Sequence, residues 1–414
     1  MKYLWLILLF LLGRSPGQNS QPTDLPQPLQ PDPYNCPPDT IIEIPDKSEF
    51  YPRLIAHFGK SVGDLITCAD LQSLTEFGGM SGGTIDLTGI EYAINLTSLS
   101  FANVPIKSLT PLKGLKKLTF LGSYVDAIPL PGGFDCDEGG FRSIEGLEVL
   151  ATLPALEELG LQGYSIRDLA ALQDLKQLKV LNLRCNLIED LTPITNLTQL
   201  SSLVLGGNRI TNLNPLRVLT NLTFLTLDRN CPESLSPLAT LTKLQTLSIS
   251  GDSFDSSSNP TYCPLAEFEP LKNLKELRNL EIINTNFSDL SLLHSLPKLE
   301  GFDLSQNVIT DINPLTKILE KGLPRQNSDW PPSINLLDNN IKDLAVFAQN
   351  LPVFEPDSYA LVLSYNCLES SQADNLEQLR NKGINFIYIE TQKPECFMRA
   401  ALLSSAEPIF YWPN

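Results

Sequence analysis

One phrase of the sequence recurs three times without interruption between residues 176 and 241, at a period of 22 residues. Each copy approximates the pattern Leu-x-x-Leu-x-Leu-x-x-Asn-x-Ile-x-x-Leu-x-Pro-Leu-x-x-Leu, as in TQLSSLVLGGNRITNLNPLRVL. A fixed period of this length indicates a solenoid, in which each repeat buries its apolar face against its neighbours. The chain is therefore predicted to grow in one dimension, and its 414 residues need not divide into several globular domains.

Each position of the repeat has a physical role, counted here from the first leucine. Leu203 and Leu205, at +3 and +5, lie two residues apart and should face the core from a short strand. The asparagine at +8 can accept and donate hydrogen bonds in a tight buried turn. The proline at +15 suits the start of a 3₁₀ or helical turn. These asparagines are Asn186, Asn208, Asn230, Asn307, Asn339 and Asn366, and these prolines are Pro111, Pro193, Pro215, Pro237, Pro270 and Pro314.

The pattern is that of a leucine-rich repeat, and the chain holds about eleven copies. We predict a curved, right-handed α/β solenoid with a parallel sheet on its concave face and short 3₁₀ turns on its convex face. The first leucines are Leu96, Leu118, Leu156, Leu178, Leu200, Leu222, Leu244, Leu277 and Leu299, and degenerate strands follow at 334–336 and 361–363. Longer spacings place insertions near 129–144, 255–265, 319–332 and 348–357, none of which breaks a strand.

Segments of different composition flank the repeats. Residues 1–17 read as a secretory signal peptide, with an apolar run too short for a stable transmembrane anchor. Residues 18–40 form a Pro-rich leader, expected to be an extended tether. Residues 41–94 form a helical N-terminal cap, in which Thr67 and Asp70 match a capping box. The solenoid spans 95–369, a C-terminal cap of one helix and one strand spans 370–394, and 395–414 is a tail.

The repeat and both caps resemble the internalin-type leucine-rich repeat proteins of bacteria. The 22-residue unit carries the motif LxxLxLxxNxIxDLxPL of that family. The N-terminal cap adds IPD at 44–46, GDLIT at 63–67 and IDLTGIEY at 85–92. At the end, LSYNCL at 363–368 and LRNKGINF at 379–386 resemble the closing segment of related bacterial repeat proteins. The resemblance implies a concave face that binds protein.

Outward strand residues are the candidates for a binding surface. Exposed aromatic side chains beside arginine are typical interface anchors, so we select Phe120, Tyr124, Arg184, Phe224 and Asp228. The alternative is that isolated aromatics merely cover a sheet rich in Ser, Gly and Thr. A further candidate, Tyr164, takes the +8 place just past its strand.

The eight cysteines lie behind a signal peptide, which favours disulfides over free thiols. Metal binding is the rival interpretation, but the sequence has no CxxC pair and only two histidines. Pairing of neighbours along the chain predicts the bridges Cys36–Cys68, Cys136–Cys185, Cys231–Cys263 and Cys367–Cys396.

Composition and motifs argue against several functions. The net charge of −17 argues against nucleic acid or anionic membrane as a partner. Gly79-Met-Ser-Gly-Gly83 matches the nucleophile-elbow pattern GxSxG, but it is expected in a loop of the cap. Only His57 and His294 could serve a hydrolase as base, so we expect no catalytic residues, no metal site and no cofactor.

The leading hypothesis is a secreted, non-enzymatic, monomeric protein that binds another protein or a surface glycan through its concave face. Its location would be extracellular, or periplasmic in a double-membrane bacterium. The alternative is a structural or adhesive component of the cell envelope, without one specific receptor site. A cryptic hydrolase is a third possibility, which an esterase assay on the Ser81→Ala variant would test.

Overall fold

The fold is seen in a computed structural model of the chain. The structure describes residues 32–44, 50–80, 83–101, 104–122, 136, 143–254, 260–262, 265, 267–321, 333–351, 360–364, 366–368, 370–382 and 386–388. The predicted signal peptide, Tyr124, most of the first insertion and the predicted tail lie outside the described residues.

One sheet of 13 parallel strands runs through the described part of the chain, in sequence order apart from a hairpin between its eighth and ninth members. Its strands are β1 (Glu76–Met80), β2 (Ser98–Phe101), β3 (Phe120–Gly122), β4 (Glu158–Gly160), β5 (Val180–Asn182), β6 (Ser202–Val204), β7 (Phe224–Thr226), β8 (Thr246–Ser250), β11 (Asn279–Ile283), β12 (Gly301–Asp303), β13 (Ser333–Asn335), β14 (Ala360–Val362) and β15 (Phe386–Tyr388). The hairpin pairs β9 (Asp252–Phe254) with β10 (Pro260–Tyr262). The predicted α/β solenoid of leucine-rich repeats is confirmed.

The leucines set which face of the sheet is buried. Leu181, Leu203, Leu225 and Leu247 lie opposite one another on adjacent strands, and all four are buried. Because side chains alternate along a strand, the residues between these leucines face away from the core. The core is thus one continuous stack of apolar side chains behind the sheet.

The turn asparagines tie each repeat to the one before it. Asn208 is buried, and its Nδ2 donates to the carbonyl oxygens of Leu183 (3.0 Å) and Leu205 (2.8 Å). Its Oδ1 accepts the backbone N–H of Ile188 in the preceding repeat at 3.0 Å. The same pattern of contacts holds at Asn186, Asn230, Asn307, Asn339 and Asn366. The predicted structural role of these residues is confirmed.

The return legs are short 3₁₀ helices, and proline stands in the first turn of many of them. Examples are Thr192–Asn196, Asn214–Val218, Ser236–Thr240 and Glu269–Asn273. Two later legs are α-helices instead, α3 (Thr316–Lys321) and α4 (Ala345–Asn350). They lie at the third and fourth predicted insertions, where extra residues allow a full α-helical turn.

The second predicted insertion forms a hairpin and leaves the sheet intact. The strands before and after it pair directly, with Leu247 opposite Leu280 and Ser248 opposite Glu281. The antiparallel pair β9–β10 lies between them in sequence. A hairpin was not predicted there, because the sequence DSSSNPTYC at 255–263 has no alternation of apolar and polar residues.

The N-terminal cap contains α1 (Phe50–His57) and α2 (Cys68–Ser73). Thr67 caps α2, and the reciprocal bonds with Asp70 form the predicted capping box. One prediction for this region is wrong. Gly79 belongs to β1, the first strand of the sheet, rather than to a loop of the cap.

Part of the Pro-rich leader belongs to the cap and is not an extended tether. The backbone N–H groups of Cys68 and Ala69 donate to the carbonyl oxygens of Thr40 (2.9 Å) and Pro38 (3.0 Å). Cys36 is buried and bonded to Cys68. The disulfide and these hydrogen bonds hold residues 36–40 against the start of α2.

A second disulfide joins Cys136 of the first insertion to Cys185 of the solenoid. Both bridges are among the four pairs predicted from the sequence. Cys231 and Cys367 are also disulfide-bonded, and the partners predicted for them, Cys263 and Cys396, lie outside the described residues. A disulfide of this kind stabilises a small secreted domain by about 2–5 kcal/mol.

The closing element is α5 (Ala373–Asn381), followed by β15 at the end of the sheet. Leu379 of α5 is buried, as its predicted helical spacing requires. No helix among the described residues is long and apolar enough to cross a membrane.

Replacing Asn208 by alanine tests the contribution of the turn amide. The change leaves the buried Ile188 N–H without its acceptor, whereas the carbonyl oxygens of Leu183 and Leu205 still accept from Asn186 and Asn230. An unpaired buried group costs about 1–3 kcal/mol, so we expect the free energy of unfolding in denaturant to fall by about that amount. The exposed Gln199→Ala change is the control and should shift it by less than about 0.5 kcal/mol. Equal effects of the two changes would contradict the structural role of Asn208.

Candidate functional site

The outward side chains of the sheet stand in rows that run across the strands. Equivalent residues of successive repeats lie opposite each other in the parallel register. Val180 is thus beside Ser202, Ser202 is beside Phe224, and Phe224 is beside Thr246. Positions +2, +4 and +6 therefore form three rows along the concave face. Two residues of one row can touch only when their strands are close.

The aromatic candidates do not form one cluster. Phe120 lies on β3 and Phe224 on β7, and both side chains are half-buried. Four strand spacings separate them, a distance of about 19 Å at 4.7–4.9 Å per strand. The third aromatic candidate, Tyr124, lies outside the described residues. Phe120 and Phe224 are thus separate points on the face.

The structure does bring Arg184 and Asp228 together, on either side of Gly206. A Cβ atom placed on Gly206 would lie 3.7 Å from the Asp228 Cβ and 3.9 Å from the Arg184 Cγ. The absence of a side chain at Gly206 leaves room for both groups in the +6 row. Burial raises the pKa of the Asp228 carboxyl, and the hydrogen bond with Ser248 and the positive charge of Arg184 oppose that rise only in part.

Polar contacts continue from Asp228 along the later repeats. The Ser248 Oγ lies 2.6 Å from Asp228 Oδ1 and 2.6 Å from Glu281 Oε2. Two strands further on, Asn335 Nδ2 donates to Asp303 Oδ2 at 2.7 Å. Asp303 also accepts the backbone N–H of Ser305 through its other carboxyl oxygen. A line of polar groups therefore runs over the strands from β7 to β13.

Glu281 is a carboxyl group in this line whose pKa is strongly perturbed. The pKa of Glu281 is raised to about 7, chiefly by burial and also by the negative charges of Asp228 and Asp303. The hydrogen bond with Ser248 acts in the opposite direction. Perturbed carboxyl groups of this kind are concentrated at functional sites in proteins.

Sequence reasoning missed the group formed by Ser248, Glu281 and Asp303. They occupy outward-facing positions of their strands, but they lack the aromatic and arginine side chains used to select candidates. The signal that could have found them is their alignment, since Ser248, Glu281 and Asp303 all occupy the +4 position of consecutive repeats. Because an insertion separates Ser248 from Glu281 in the sequence, it is not evident from the sequence that the two residues are neighbours on adjacent strands.

Tyr164 is not a surface residue, and its selection as a binding residue was wrong. Its side chain is buried. Its Oη donates to the carbonyl oxygen of Val104 (2.9 Å) and accepts a hydrogen bond from the N–H of Ile106 (3.1 Å). Tyr164 occupies the +8 place where most repeats carry asparagine. Its longer side chain reaches across to the backbone of the first repeat, so its role is structural.

The groups considered for catalysis are dispersed. Gly79 and Met80 of the GxSxG sequence lie in β1, and Ser81 lies outside the described residues. His57 packs edge-on against Phe77, with ring centroids 5.7 Å apart. His294 lies on an outer leg, where its Nε2 is 2.5 Å from the carbonyl oxygen of Pro314. Within the described ranges no group of three His, Cys, Asp or Glu residues could hold a metal ion.

Comparisons with known proteins agree with this architecture. A family model described as a leucine-rich repeat region matches residues 136–318. The structure is similar to that of an internalin, InlF, from Listeria monocytogenes, with 26% sequence identity and a TM-score of 0.60. That match covers 82% of this chain and 94% of the internalin chain.

The structure is also similar to that of a leucine-rich repeat protein from Leptospira interrogans. The identity is 20%, the match covers 72% of this chain and 80% of the other, and the TM-score is 0.50. At this identity the similarity concerns the fold alone. A comparison with curated protein sequences gives no match.

The Tyr164→Phe change tests the structural role assigned to the hydroxyl group. It should leave the Val104 carbonyl and the Ile106 N–H unpaired, and we expect a loss of about 1–3 kcal/mol in the free energy of unfolding. Tyr51→Phe is a matched control, because it removes a more exposed hydroxyl bond to the Asp64 carbonyl and should cost less than about 1 kcal/mol. An unchanged unfolding midpoint in Tyr164→Phe would contradict the assignment.

Proposed function

We propose that the chain, a leucine-rich repeat solenoid similar to a bacterial internalin, is a secreted, non-enzymatic protein that binds another protein through its concave face. The leucine-rich repeat fold commonly mediates binding between proteins. A surface glycan is the alternative ligand for the same face.

The observation that carries the proposal is the approach of Arg184 and Asp228 on the face that also carries Phe224. Phe224 lies on β7 and Asp228 just beyond it, and Arg184 approaches Asp228 across Gly206. All three residues are half-buried. An aromatic side chain and two opposite charges on one face combine apolar area with orientation, as binding hot spots do.

The disulfides support the proposed secretion. Cys36–Cys68 and Cys136–Cys185 are formed in the structure, and structural disulfides persist in oxidising compartments outside the cytosol. The apolar run after Lys2 would supply the export signal. After export, the N-terminal region of the protein would consist of the leader and the cap, which the Cys36–Cys68 disulfide joins.

The binding face is tested by affinity capture from the native extracellular medium on immobilised protein. We expect the Arg184→Ala/Phe224→Ala variant to lose affinity for the captured partner at least tenfold, because hot-spot residues contribute about 1.4 kcal/mol or more each. The matched control is Arg217→Ala/Val218→Ala on the convex leg Asn214–Val218, which removes one cation and one exposed apolar side chain. That control should retain the partner.

Two results would overturn the proposal. One is equal retention of the partner by both double variants, which would place binding elsewhere or make it nonspecific. The other is a captured partner that the convex variant loses and the concave variant retains. Circular dichroism of each variant verifies that the solenoid is folded before capture.

A further inference from the structure

Ser248 stands between two carboxyl groups on the concave face. Its Oγ lies 2.6 Å from Asp228 Oδ1 on one side and 2.6 Å from Glu281 Oε2 on the other. A serine hydroxyl has one proton to donate and otherwise accepts. If Ser248 donates to one carboxylate, the second contact is a hydrogen bond only when the other carboxyl carries a proton. For both short contacts to be hydrogen bonds, one of the two carboxyl groups must carry a proton in addition to the hydroxyl proton of Ser248.

The charges around the pair indicate which carboxyl carries this proton. Asp228 faces the positive charges of Arg184 from the β5 repeat and Arg229 from its own, which stabilise its ionised form. Glu281 faces the negative charges of Asp228 on one side and Asp303 on the other, which oppose its ionisation. Burial is the largest effect at both carboxyl groups and raises both pKa values. The neighbouring charges differ, with cations beside Asp228 and carboxyl groups beside Glu281, so the proton is assigned to Glu281, with Ser248 donating to Asp228.

The neighbouring polar groups fit this assignment. On the β12 and β13 side, Asp303 accepts hydrogen bonds from Asn335 Nδ2 and from the N–H of Ser305. On the β8 side, the Ser250 Oγ accepts the backbone N–H of Arg229 at 2.9 Å. Among the described residues the charged groups that act on the pair are thus Arg184, Arg229 and Asp303.

We propose that Asp228, Ser248 and Glu281 form a pH-sensitive switch, in which the two carboxyl groups on either side of Ser248 hold one proton, and its release from Glu281 adds one negative charge to the concave face. The released charge would lie between two other carboxylates, so the surface there becomes strongly anionic. The switch belongs to the free protein and requires no partner. Its existence can be tested separately from the binding function proposed above.

The direction of the effect on stability follows from proton linkage. The ordinary pKa of glutamate is 4.5, and burial beside two carboxylates raises the pKa of Glu281 to about 7 in the folded protein. Between these values the folded state binds more protons than the unfolded state, so stability falls as pH rises. The contribution is fully present below pH 4.5 and is lost as pH passes through about 7.

The direct test is an NMR titration of the glutamate side-chain carboxyl carbons in the full chain. We expect one resonance with a midpoint near pH 7 in the native protein and its loss in Glu281→Gln. The control Glu158→Gln removes an exposed glutamate of the same face and should leave that resonance in place. In thermal unfolding, Glu281→Gln should remove part of the decrease in Tm between pH 5 and pH 8.

A second variant keeps the test decisive if Glu281→Gln fails to fold. Asp228→Asn removes the negative charge on the far side of Ser248 and should shift the Glu281 midpoint to lower pH. The proposal is overturned if no glutamate titrates between pH 6 and 8 in the native protein. It is also overturned if the midpoint stays in place in Asp228→Asn, because the two carboxyls would then be independent.

Discussion

The solenoid depends on a side-chain amide that bonds to two repeats at once. Where a turn carries the asparagine, its amide accepts an N–H from the preceding repeat and donates to carbonyl oxygens of both repeats, as Asn208 does with Ile188, Leu183 and Leu205. The turn is buried, so these backbone groups have no water to replace the amide. The asparagines therefore fix how one repeat is placed on the next, while the leucines supply the apolar burial that drives the stacking. The order and register of the sheet follow from the two together.

This register gives the concave face its chemical organisation. A position that faces outward in one repeat does so in the next, so single substitutions along the sequence become neighbours in space. Arg184 and Asp228 meet across Gly206, and Asp228 continues through Ser248 to Glu281. The face thus changes from an aromatic and cationic region near β5–β7 to an acidic one from β7 to β12. A partner bound there would meet both regions, and the charge of the second depends on pH.

The sequence was sufficient wherever a structural role is completed within one repeat or between adjacent repeats. The leucine core, the asparagine turns, the 3₁₀ legs, the capping box at Thr67 and the closing helix at Leu379 are of this kind.

The predictions failed where a contact joins residues that are far apart in the sequence. Tyr164 bonds to Val104 and Ile106 about two repeats earlier, and nothing local to Tyr164 signals that reach. The leader at 36–40 was assigned by composition, which does not show its pairing with Cys68. Similarly, the site at Ser248 and Glu281 becomes visible only when the insertion between them is removed from the alignment.

The central claim is that the buried amides couple the repeats into one array that holds the concave face in place. Native-state hydrogen exchange, followed residue by residue, tests this at the N–H groups of Ile188, Ile210 and Ile309, which donate to Asn208, Asn230 and Asn339. The account predicts that all three exchange only through the global unfolding of the array, with the same free energy of opening and the same dependence on denaturant. Exchange at these sites as fast as at the exposed Glu189, or with three unrelated free energies, would contradict it.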